Sequence, residues 1–348
     1  MENIRKHLIG LNSTIRDSML VLNTLGKDAI LFLADQDYHL MGSLTDGDVR
    51  RGLLNGFSLE DPIARIIQPH PRFIRKGERD IQKVIEFREG NFRIIPILDK
   101  ADRIVNIINF RQYRSYLPID AVIMAGGRGQ RLSPLTDTIP KPLLKVDDKC
   151  IIEHNIDRLA LFGIDDFWIS VGYLGEQIQE HLGDGTNRNV KINYVWEDKP
   201  NGTIGSVSRI DNFQHDYILV CNSDLITNLE YEHFFLEFLK QDADLAVVTI
   251  PYHVNIPYAV METNNGDVVT FKEKPTYTYY SNGGIYLIKR STIGILPKNM
   301  HWDATDFMQQ LIADGKKVIA YNLTGYWIDI GNPEDYEKAK REFQHIKF

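Results

Sequence analysis

Residues 121–132 read AVIMAGGRGQRL, a short apolar run followed at once by a glycine-rich segment. The run from Ala121 to Met124 predicts a buried strand, and Gly126, Gly127 and Gly129 predict a loop after it. Glycines at such a place let the backbone approach a phosphate chain and present N–H groups to it. The segment favours a phosphate-binding loop, with a plain tight turn as the alternative.

Strand-like and helix-like segments alternate after this loop. Alternation of this kind is typical of an α/β fold with a mostly parallel sheet, in which ligands bind at the carboxyl ends of the strands. The sequence predicts a helix over 152–162, a strand over 166–171, a helix over 175–182 and strands over 190–196 and 217–221.

Charged residues follow the loop and the last of these strands. Arg131 can make a forked contact with phosphate, and the prolines on both sides of Lys141 preset the direction of that lysine. Asp224 comes just after the strand over 217–221. A carboxylate there suits Mg²⁺, which binds few protein carboxylates together with phosphate oxygens, although a turn or helix cap would suit it equally.

These motifs resemble those of the sugar-phosphate nucleotidyltransferases, the family of mannose-1-phosphate guanylyltransferase and glucose-1-phosphate thymidylyltransferase. The family signature GGxGTRLxPLTxxxPKP is matched from Gly126 to Pro142, except that Gln130 replaces the usual Thr or Ser. The resemblance covers about residues 120–340. It implies an enzyme that transfers a nucleotidyl group from a nucleoside triphosphate to a sugar 1-phosphate with Mg²⁺ as cofactor.

The resemblance also implies roles for individual residues, which fall into four groups. The expected nucleotide-binding residues are Ala125, Gly126, Gly127, Gly129, Glu197, Gly202 and Thr203, and the expected sugar-binding residues are Glu273, Asn282 and Gly283. The expected catalytic cations are Arg131, Lys141 and Lys274, and the expected metal ligands are Asp224 and Asp329. Arg131 is expected on the triphosphate side and Lys274 on the sugar phosphate.

The attacking atom in such a reaction is a phosphate oxygen that is already anionic, so no general base is required. A glycosyltransferase that consumes sugar nucleotides is one alternative, but the loop and the segment Pro140–Pro142 favour nucleotidyl transfer. A non-catalytic nucleotide sensor is another, against which the complete set of charged residues argues.

The nucleobase and the sugar stay open. The segment 198–201 reads DKPN and departs from the form that family members use near the base. Family members that carry an additional module before the transferase domain, as this chain does over residues 1–117, resemble guanylyltransferases, so GTP is the expected nucleotide. The expected acceptor is a hexose or hexosamine 1-phosphate, with glucosamine and N-acetylglucosamine 1-phosphate as candidates. Uridylyl, thymidylyl and cytidylyl transfer are the alternatives.

The first 117 residues contain an internal repeat. Asp35 matches Asp99 and Thr45 matches Asn109 at one constant offset, and each copy predicts a strand, a polar turn, a second strand and the start of a helix. The repeat resembles a pair of cystathionine β-synthase (CBS) domains, which bind adenosine nucleotides or dimerise. Thr45 and Asp48 match the ribose-binding motif of that family, whereas Asn109 and Gln112 do not. At most one nucleotide site is expected, and an assembly scaffold is the equal alternative.

The composition bounds the remaining possibilities. A net charge of −7 argues against a general nucleic-acid partner, and two cysteines cannot form a disulfide framework. No apolar run is long enough to cross a membrane, and the first ten residues lack an apolar signal core. We therefore expect a cytoplasmic homo-oligomer with an α/β fold, a CBS pair over 1–117 and a Rossmann-like transferase domain with a mixed, mostly parallel sheet over 118–348.

Overall fold

The structure is a computed structural model, and it describes residues 2–76, 80–298 and 300–346. It divides into two compact units. The N-terminal unit comprises the chain up to Pro118 together with Ala160–Asp165, and the C-terminal unit comprises Ile119–Leu159 and the chain from Asp166 onward. The grouping of Ala160–Asp165 with the N-terminal unit was not expected from the sequence.

The N-terminal unit is built from short strands and helices. They are helix α1 (Glu2–Arg5), strand β1 (Leu8–Gly10), α2 (Ile15–Leu25), β2 (Ile30–Ala34), β3 (Leu40–Thr45), α3 (Asp46–Leu54), β4 (Ile74–Arg75), α4 (Ile81–Glu89), β5 (Ile94–Leu98) and β6 (Ile104–Asn109).

Two three-stranded sheets, β1-β2-β3 and β4-β5-β6, confirm the internal repeat. In each, the first pair of strands is parallel and the second is antiparallel. The register shifts between Leu33 and Ala34 in one sheet and between Ile97 and Leu98 in the other, 64 positions later. An aspartate follows the middle strand of each sheet, Asp35 in the first copy and Asp99 in the second. In both copies its Oδ1 accepts two backbone N–H groups from the turn that follows.

The second copy departs from the expected pattern at its end. Residues 110–118, all of which the structure describes, form no helix, and the N–H groups of Gln112 and Tyr113 instead donate to the carbonyl of Asn109. The side chain of Asn109 donates to Asp28 at 2.8 Å and accepts from the N–H of Arg111, so it holds a turn rather than a helix start. The expectation of a helix start was therefore right for the first copy and wrong for the second.

From residue 119 onward, strands and helices alternate. They are β7 (Ile119–Ala125), β8 (Lys145–Val146), β9 (Lys149–Cys150), α5 (Ile151–Leu161), β10 (Asp166–Val171), α6 (Gly175–Leu182), β11 (Lys191–Trp196), β12 (Tyr217–Asn222), β13 (Leu225–Thr227), α7 (Tyr231–Lys240), β14 (Leu245–Asn255), β15 (Val260–Asn264), β16 (Asp267–Lys272), β17 (Thr276–Lys289), α8 (Ala304–Ala313), β18 (Val318–Asn322), β19 (Trp327–Asp329) and α9 (Pro333–Glu342). The helices and strands predicted over 152–221 all form, with bounds within one residue of those expected.

The C-terminal unit is organised by a seven-stranded sheet in the order β11-β10-β7-β12-β17-β14-β18. The first four strands are parallel to one another, β17 is antiparallel to both of its neighbours, and β18 is parallel to β14. The sheet is therefore mixed and mostly parallel, as expected. One face buries Ile218 and Val220 against Phe307 and Leu311 of α8, which fixes that helix on the sheet.

Strands β14 and β17 continue beyond the sheet as a two-stranded ribbon, and β15 and β16 form a separate hairpin between them. We call residues 251–281 the β-arm. Every one of its residues is exposed or half-buried.

Among the described residues, the helices are too short or too polar for any of them to span a membrane.

Candidate active site

A cavity of about 800 Å³ lies at the carboxyl ends of β7, β10, β11 and β12. This is the edge of the sheet where an α/β fold binds its ligands. Of the residues singled out in the sequence, the cavity lining contains Gly126, Gly127, Gly129, Arg131, Lys141, Glu197, Gly202, Thr203 and Asp224. Ala125 ends β7 directly before them and is buried.

The glycine loop packs closely on the segment that carries Lys141. Gly129 has a φ of +62°, and a Cβ on it would lie 3.0 Å from Cβ of Lys141. The hydroxyl of Thr136 donates to the carbonyl of Gly129 at 2.9 Å and fixes the same approach. A side chain at position 129 would be strained by this φ and would press on Lys141, so glycine there sets the position of both segments.

Strands β13 and β19 bring the two aspartates together from positions far apart in the chain. Asp224 precedes β13 directly, and the antiparallel register of the two strands pairs Leu225 with Asp329. The backbone N–H of Ile330 also donates to the carbonyl of Asp224 at 3.0 Å. The two carboxylates predicted as metal ligands therefore lie side by side at the edge of the cavity.

The side chain of Lys141 joins this pair. It is almost fully buried, its ammonium group donates to Oδ2 of Asp224, and it lies 4.0 Å from Oδ1 of Asp329. Burial and the negative charge of Asp224 raise the pKa of Asp329 to about 6. A lysine held against two carboxylates offsets part of their mutual repulsion.

The two carboxylates fit a divalent cation. Oδ1 of Asp224 and Oδ1 of Asp329 are both buried, and neither accepts a hydrogen bond from any residue that the structure describes. Buried acceptors without donors are costly, whereas a hard cation such as Mg²⁺ binds carboxylate oxygens of this kind. The donor set present here is therefore suited to Mg²⁺.

Arg131 adds a second cation at the same edge. It sits in a short 3-10 helix after the loop, and its guanidinium lies 3.6 Å from the position that a Cβ on Gly331 would take. Its positive charge opposes the rise in the pKa of Asp329. Arg131, Lys141 and the two aspartates thus form one charged cluster.

Glu197 follows β11 and lies beneath the glycine loop. A Cβ on Gly126 would be 3.0 Å from its carboxyl carbon. Oε1 accepts the hydroxyls of Ser170 and Ser206, and Oε2 accepts the backbone N–H of Asn201 at 3.2 Å. The carboxylate therefore fixes the ends of two strands and the floor of the loop as well as lining the cavity.

Gly202 and Thr203 hold the start of α8. Gly202 has a φ of +77° and approaches the carbonyl of Trp302 so closely that a Cβ would lie 2.2 Å from it. Thr203 accepts the N–H of Ala304 at 2.8 Å and donates its own N–H to Asp303 at 3.0 Å. Both residues line the cavity, but the hydroxyl of Thr203 already accepts a hydrogen bond within the protein.

Asn282 and Gly283 lie next to the end of β12. The carbonyl of Gly283 accepts the indole N–H of Trp327 at 2.9 Å, and Asn282 contacts the hydroxyl of Tyr286 at 2.7 Å. A Cβ on the next residue, Gly284, would lie 2.7 Å from Asn222, which lines the cavity. This segment therefore borders the cavity, although Asn282 and Gly283 themselves are not in its lining.

Glu273 and Lys274 are not brought to the cavity. Both are exposed, and they connect β16 to β17 in the β-arm. The strand from Thr276 to Asn282 alone extends about 20 Å at the usual rise of 3.3 Å per residue. The sequence placed these two residues in one sugar site with Asn282, and the structure separates them.

In the N-terminal unit, Thr45 and Asp48 form the cap of α3. Thr45 donates its N–H at 2.8 Å and its hydroxyl at 2.6 Å to Oδ2 of Asp48, and Oδ1 accepts Arg51 at 2.6 Å and Gln68 at 3.0 Å. These bonds hold the pKa of Asp48 below its usual value against the effect of its burial. A nucleotide that bonded Asp48 would have to displace one of these partners.

Several cavity residues had not been singled out in the sequence. The guanidinium of Arg128, a residue of the glycine loop, lies 5.4 Å from the ring centroid of Tyr173, and both residues line the cavity. Tyr173 follows a parallel strand closely, so the rule that ligands bind at carboxyl ends could have found it. Lys199 also lines the cavity and belongs to the segment 198–201, which the sequence had placed near the base without a role for the lysine. His301 comes from a segment with no such pattern and is recognised by tertiary structure alone.

Residues 120–345 match the family described as nucleotidyl transferase. This span covers the seven-stranded sheet, the glycine loop and both aspartates. The chain belongs to the nucleotidyl transferase family.

Relatives within this family transfer different nucleotides. The chain is 29% identical over 231 residues to D-glycero-alpha-D-manno-heptose 1-phosphate guanylyltransferase of Aneurinibacillus thermoaerophilus, a match covering 65% of this chain and 99% of the relative. It is also 29% identical over 241 residues to UTP–glucose-1-phosphate uridylyltransferase of Synechocystis sp., which covers 64% of this chain and 62% of the relative. Mannose-1-phosphate guanylyltransferases are among the other relatives.

A solved structure supports the same fold. The crystal structure of HddC from Yersinia pseudotuberculosis, complexed with GMP-PN, superposes with a TM-score of 0.50 and 26% identity, covering 64% of this chain and 99% of HddC. These matches account for about two thirds of the chain, and the chain spans 62% of the Synechocystis enzyme. The chain is thus a member of the nucleotidyl transferase family, and the relatives named here transfer different nucleotides to different sugar phosphates.

Proposed function

We propose that the chain transfers a nucleotidyl group from a nucleoside triphosphate to a sugar 1-phosphate and releases pyrophosphate. The observation that carries this proposal is the cluster at the cavity edge, where a glycine loop, Arg131 and Lys141 adjoin Asp224 and Asp329. Cations and backbone N–H groups suit a triphosphate, and paired carboxylates suit the metal that accompanies it.

The reaction needs positioning and charge stabilisation more than proton transfer. An anionic oxygen of the sugar phosphate attacks the α-phosphorus of the triphosphate, a new P–O bond forms, and the bond between the α- and β-phosphates breaks to release pyrophosphate. Arg131 and Lys141 would hold the phosphates in line and stabilise the charge that develops on them. No general base is required, since the attacking oxygen carries no proton at neutral pH.

Asp224 and Asp329 would hold Mg²⁺. When bound, the metal supplies charge neutralisation for the phosphate oxygens. Lys141 contacts one of these carboxylates, so it couples the metal ligands to the glycine loop that it packs against.

GTP is the proposed nucleotide. Glu197 lines the cavity with an acceptor-only carboxylate. Its Oε1 accepts the hydroxyls of Ser170 and Ser206, whereas its Oε2 accepts a single backbone N–H from the described residues, so Oε2 is the oxygen that has room for a further donor. Guanine presents two adjacent donors, N1–H and the 2-amino group, either of which can bond that oxygen, whereas uracil and thymine present one N–H between two carbonyls. A guanylyltransferase and a uridylyltransferase are both 29% identical to the chain, so the choice of GTP rests on Glu197. Ala125, Gly126, Gly127, Gly129, Gly202 and Thr203 complete the proposed nucleotide site.

A hexose or hexosamine 1-phosphate is the proposed acceptor, with glucosamine and N-acetylglucosamine 1-phosphate as candidates. Asn282 and Gly283 border the cavity where the sugar would lie. Glu273 and Lys274 could contact the sugar and its phosphate only if the β-arm approached the cavity on binding. Their proposed roles therefore rest on the resemblance of their motif to the family, and their exposed positions make them directly testable.

We propose that residues 1–117 form a CBS-like pair with a regulatory or assembly role beside a transferase domain over 118–348. The repeated strand register supports a paired module. One nucleotide site at Thr45 and Asp48 is proposed for the first copy. The second copy lacks the carboxylate at Gln112 and ties Asn109 to Asp28.

One assay tests the proposed function. Purified full-length chain is incubated with Mg²⁺, each of GTP, UTP, dTTP, CTP and ATP, and a panel of sugar 1-phosphates, and pyrophosphate and nucleoside diphosphate sugar are both measured. We expect pyrophosphate and sugar nucleotide in equal amounts, with GTP the preferred donor. Release of a nucleoside diphosphate from a sugar nucleotide would indicate a glycosyltransferase instead. No turnover with any pair would indicate a nucleotide sensor.

A further inference from the structure

Arg128 is a cation of the glycine loop to which the proposed reaction gives no role. Its side chain is exposed and lines the cavity beside Gly127 and Gly129. It forms neither an ion pair nor a hydrogen bond with any residue that the structure describes. A guanidinium carries several N–H donors and a permanent positive charge, so this side chain can bind an anion without first breaking a bond within the protein.

Tyr173 restricts the movement of this arginine. The guanidinium lies 5.4 Å from the centroid of the tyrosine ring, within the range of a cation–π contact. A long side chain on an exposed loop loses rotamer freedom when it binds a ligand, and that loss lowers the affinity. Because the ring already restricts the guanidinium, Arg128 is partly ordered before a ligand arrives.

The ring of Tyr173 is fixed by contacts at both ends of the residue. Its backbone N–H donates to the carbonyl of Gly126 at 3.3 Å, and its hydroxyl donates to the carbonyl of Asp137 at 2.9 Å, with the carbonyl of Thr136 at 3.3 Å. The residue before it, Gly172, comes so close to the loop that a Cβ there would lie 3.0 Å from the carbonyl oxygen of Gly126. Tyr173 thus joins the carboxyl end of β10 to the glycine loop and to the segment after it, and its ring is held under the guanidinium.

The strand order places Arg128 and the proposed metal ligands on opposite sides of the glycine loop. Strand β7, which precedes the loop, lies between β10 and β12. Tyr173 follows β10, whereas Asp224 follows β12 and has Lys141 against it. Lys141 and Arg131 therefore face the carboxylates that would hold Mg²⁺. Arg128 points toward β10, where no described carboxylate pairs with it.

The triphosphate of the proposed reaction is long enough to use both sides of the loop. The α-phosphorus, at which bonds are exchanged, belongs at the charged cluster of Arg131, Lys141 and the two aspartates. The β- and γ-phosphates, which leave together as pyrophosphate, extend from it along the loop. A guanidinium on the other side of the loop suits these two groups, because it bonds phosphate oxygens in a forked manner.

We propose that Arg128 binds the β- and γ-phosphates of the triphosphate and the pyrophosphate formed from them, and that Tyr173 is the residue that positions it. This inference rests on the proposed function, but on neither the nucleobase nor the sugar. Loss of the arginine weakens the binding of any linear polyphosphate, with or without a nucleoside attached. Loss of the tyrosine ring weakens it less, because the charge of Arg128 remains and only its placement is lost.

The experiment measures binding of inorganic tripolyphosphate to the full-length chain by calorimetry in the presence of Mg²⁺. We expect Arg128→Ala to raise the dissociation constant about tenfold or more, the usual effect of losing a hydrogen bond to a charged group. Tyr173→Leu should raise it by a smaller factor, and Arg128→Lys should keep part of the affinity because it retains the charge but not the fork. The matched control is Lys340→Ala, which removes a cation 5.1 Å from the ring of Tyr336 on α9, outside the cavity lining, and should leave binding unchanged.

Steady-state kinetics separate this role from a general effect of charge. In Arg128→Ala the inhibition constant of pyrophosphate and the KM for the triphosphate should rise together, whereas the KM for the sugar 1-phosphate should stay within about twofold. Tripolyphosphate binding that is unchanged in Arg128→Ala, or absent from the wild type, would overturn the inference. So would an equal rise in both KM values, which would reflect only the changed charge of the cavity. The proposed function fails by a different result, namely a wild type that turns over no pair of substrates.

Discussion

Nζ of Lys141 lies 4.0 Å from Oδ1 of Asp329, and the same ammonium group donates to Asp224. One cation therefore faces both of the carboxylates that we propose as metal ligands. The segments that carry Lys141, Asp224 and Asp329 are distant in the chain and meet at this point. The geometry links the glycine loop, through Lys141, to the metal ligands.

The first prediction concerns these carboxylates. Asp224→Asn and Asp329→Asn should each lower turnover by about 100-fold or more, because an amide is a much weaker ligand than a carboxylate for a hard cation. Steady-state rates at saturating Mg²⁺ measure the effect, with circular dichroism as the check on folding. Asp211→Asn, at an exposed position, is the control that should keep wild-type activity. Near-normal turnover in either variant would remove that aspartate from the proposed ligand set.

The second prediction separates the two cations assigned to different substrates. Arg131→Ala should raise the KM for the triphosphate more than the KM for the sugar phosphate, because Arg131 adjoins the glycine loop. Lys274→Ala should act on the sugar phosphate alone, if the β-arm reaches the cavity during turnover. Initial rates with each substrate varied in turn distinguish the two, and Lys298→Ala, an exposed lysine, is the control. Small and equal effects on both substrates would show that the division of roles is wrong.

A third prediction concerns the N-terminal unit. Calorimetry of the full-length chain with AMP, ATP and GTP should reveal one nucleotide site that Asp48→Asn weakens, and its occupancy should change the catalytic rate. Gln112→Ala, at the matching position of the second copy, should have no effect on binding. If Asp48 serves only to cap α3, the variant loses about 0.5 to 2 kcal/mol of stability and no nucleotide binds. Binding that leaves the rate unchanged would remove only the regulatory role.

A fourth prediction follows from Asp120, which is buried at the start of β7. Burial raises its pKa to about 6, against the opposing effects of His215 and of two backbone N–H groups that donate to it. The folded state therefore keeps this proton between about pH 4 and 6 while the unfolded state releases it. The free energy of unfolding of the wild type should therefore fall by about 2 kcal/mol, relative to that of Asp120→Asn, as the pH rises from 4.5 to 7.5.

Urea unfolding at each pH tests this prediction. All four tryptophans of the chain lie in the C-terminal unit, so their fluorescence reports on the unit that contains Asp120. Asp166, whose Oδ2 lies 3.4 Å from Nε2 of His215, also raises the pKa of Asp120, so the difference between the two proteins reports on the coupled titration of Asp120 with Asp166 and His215. A difference that stays constant with pH would show that Asp120 is ionised in the folded chain throughout this range.

The α/β fold of the C-terminal unit could be predicted because its signals are local. An apolar run before glycines, as at Ala121–Gly129, specifies a strand and a loop whatever else surrounds them. The internal repeat was equally visible, since two copies of one motif keep the same register. The end of the second copy was not, because the turn at Asn109 depends on Asp28, which is distant in the chain.

The sequence by itself determined which residue types lie at the carboxyl ends of the strands, and it grouped them by motif. Tertiary structure alone decided which of them meet. The register of β13 with β19 places Asp329 beside Asp224, and the close approach at Gly129 fixes Lys141 against the loop. The same packing leaves Glu273 and Lys274 on the exposed β-arm, away from Asn282, with which their motifs had grouped them. The physical reason is that spacing along the chain encodes local conformation, whereas proximity between distant segments depends on strand pairing and packing across the whole sheet.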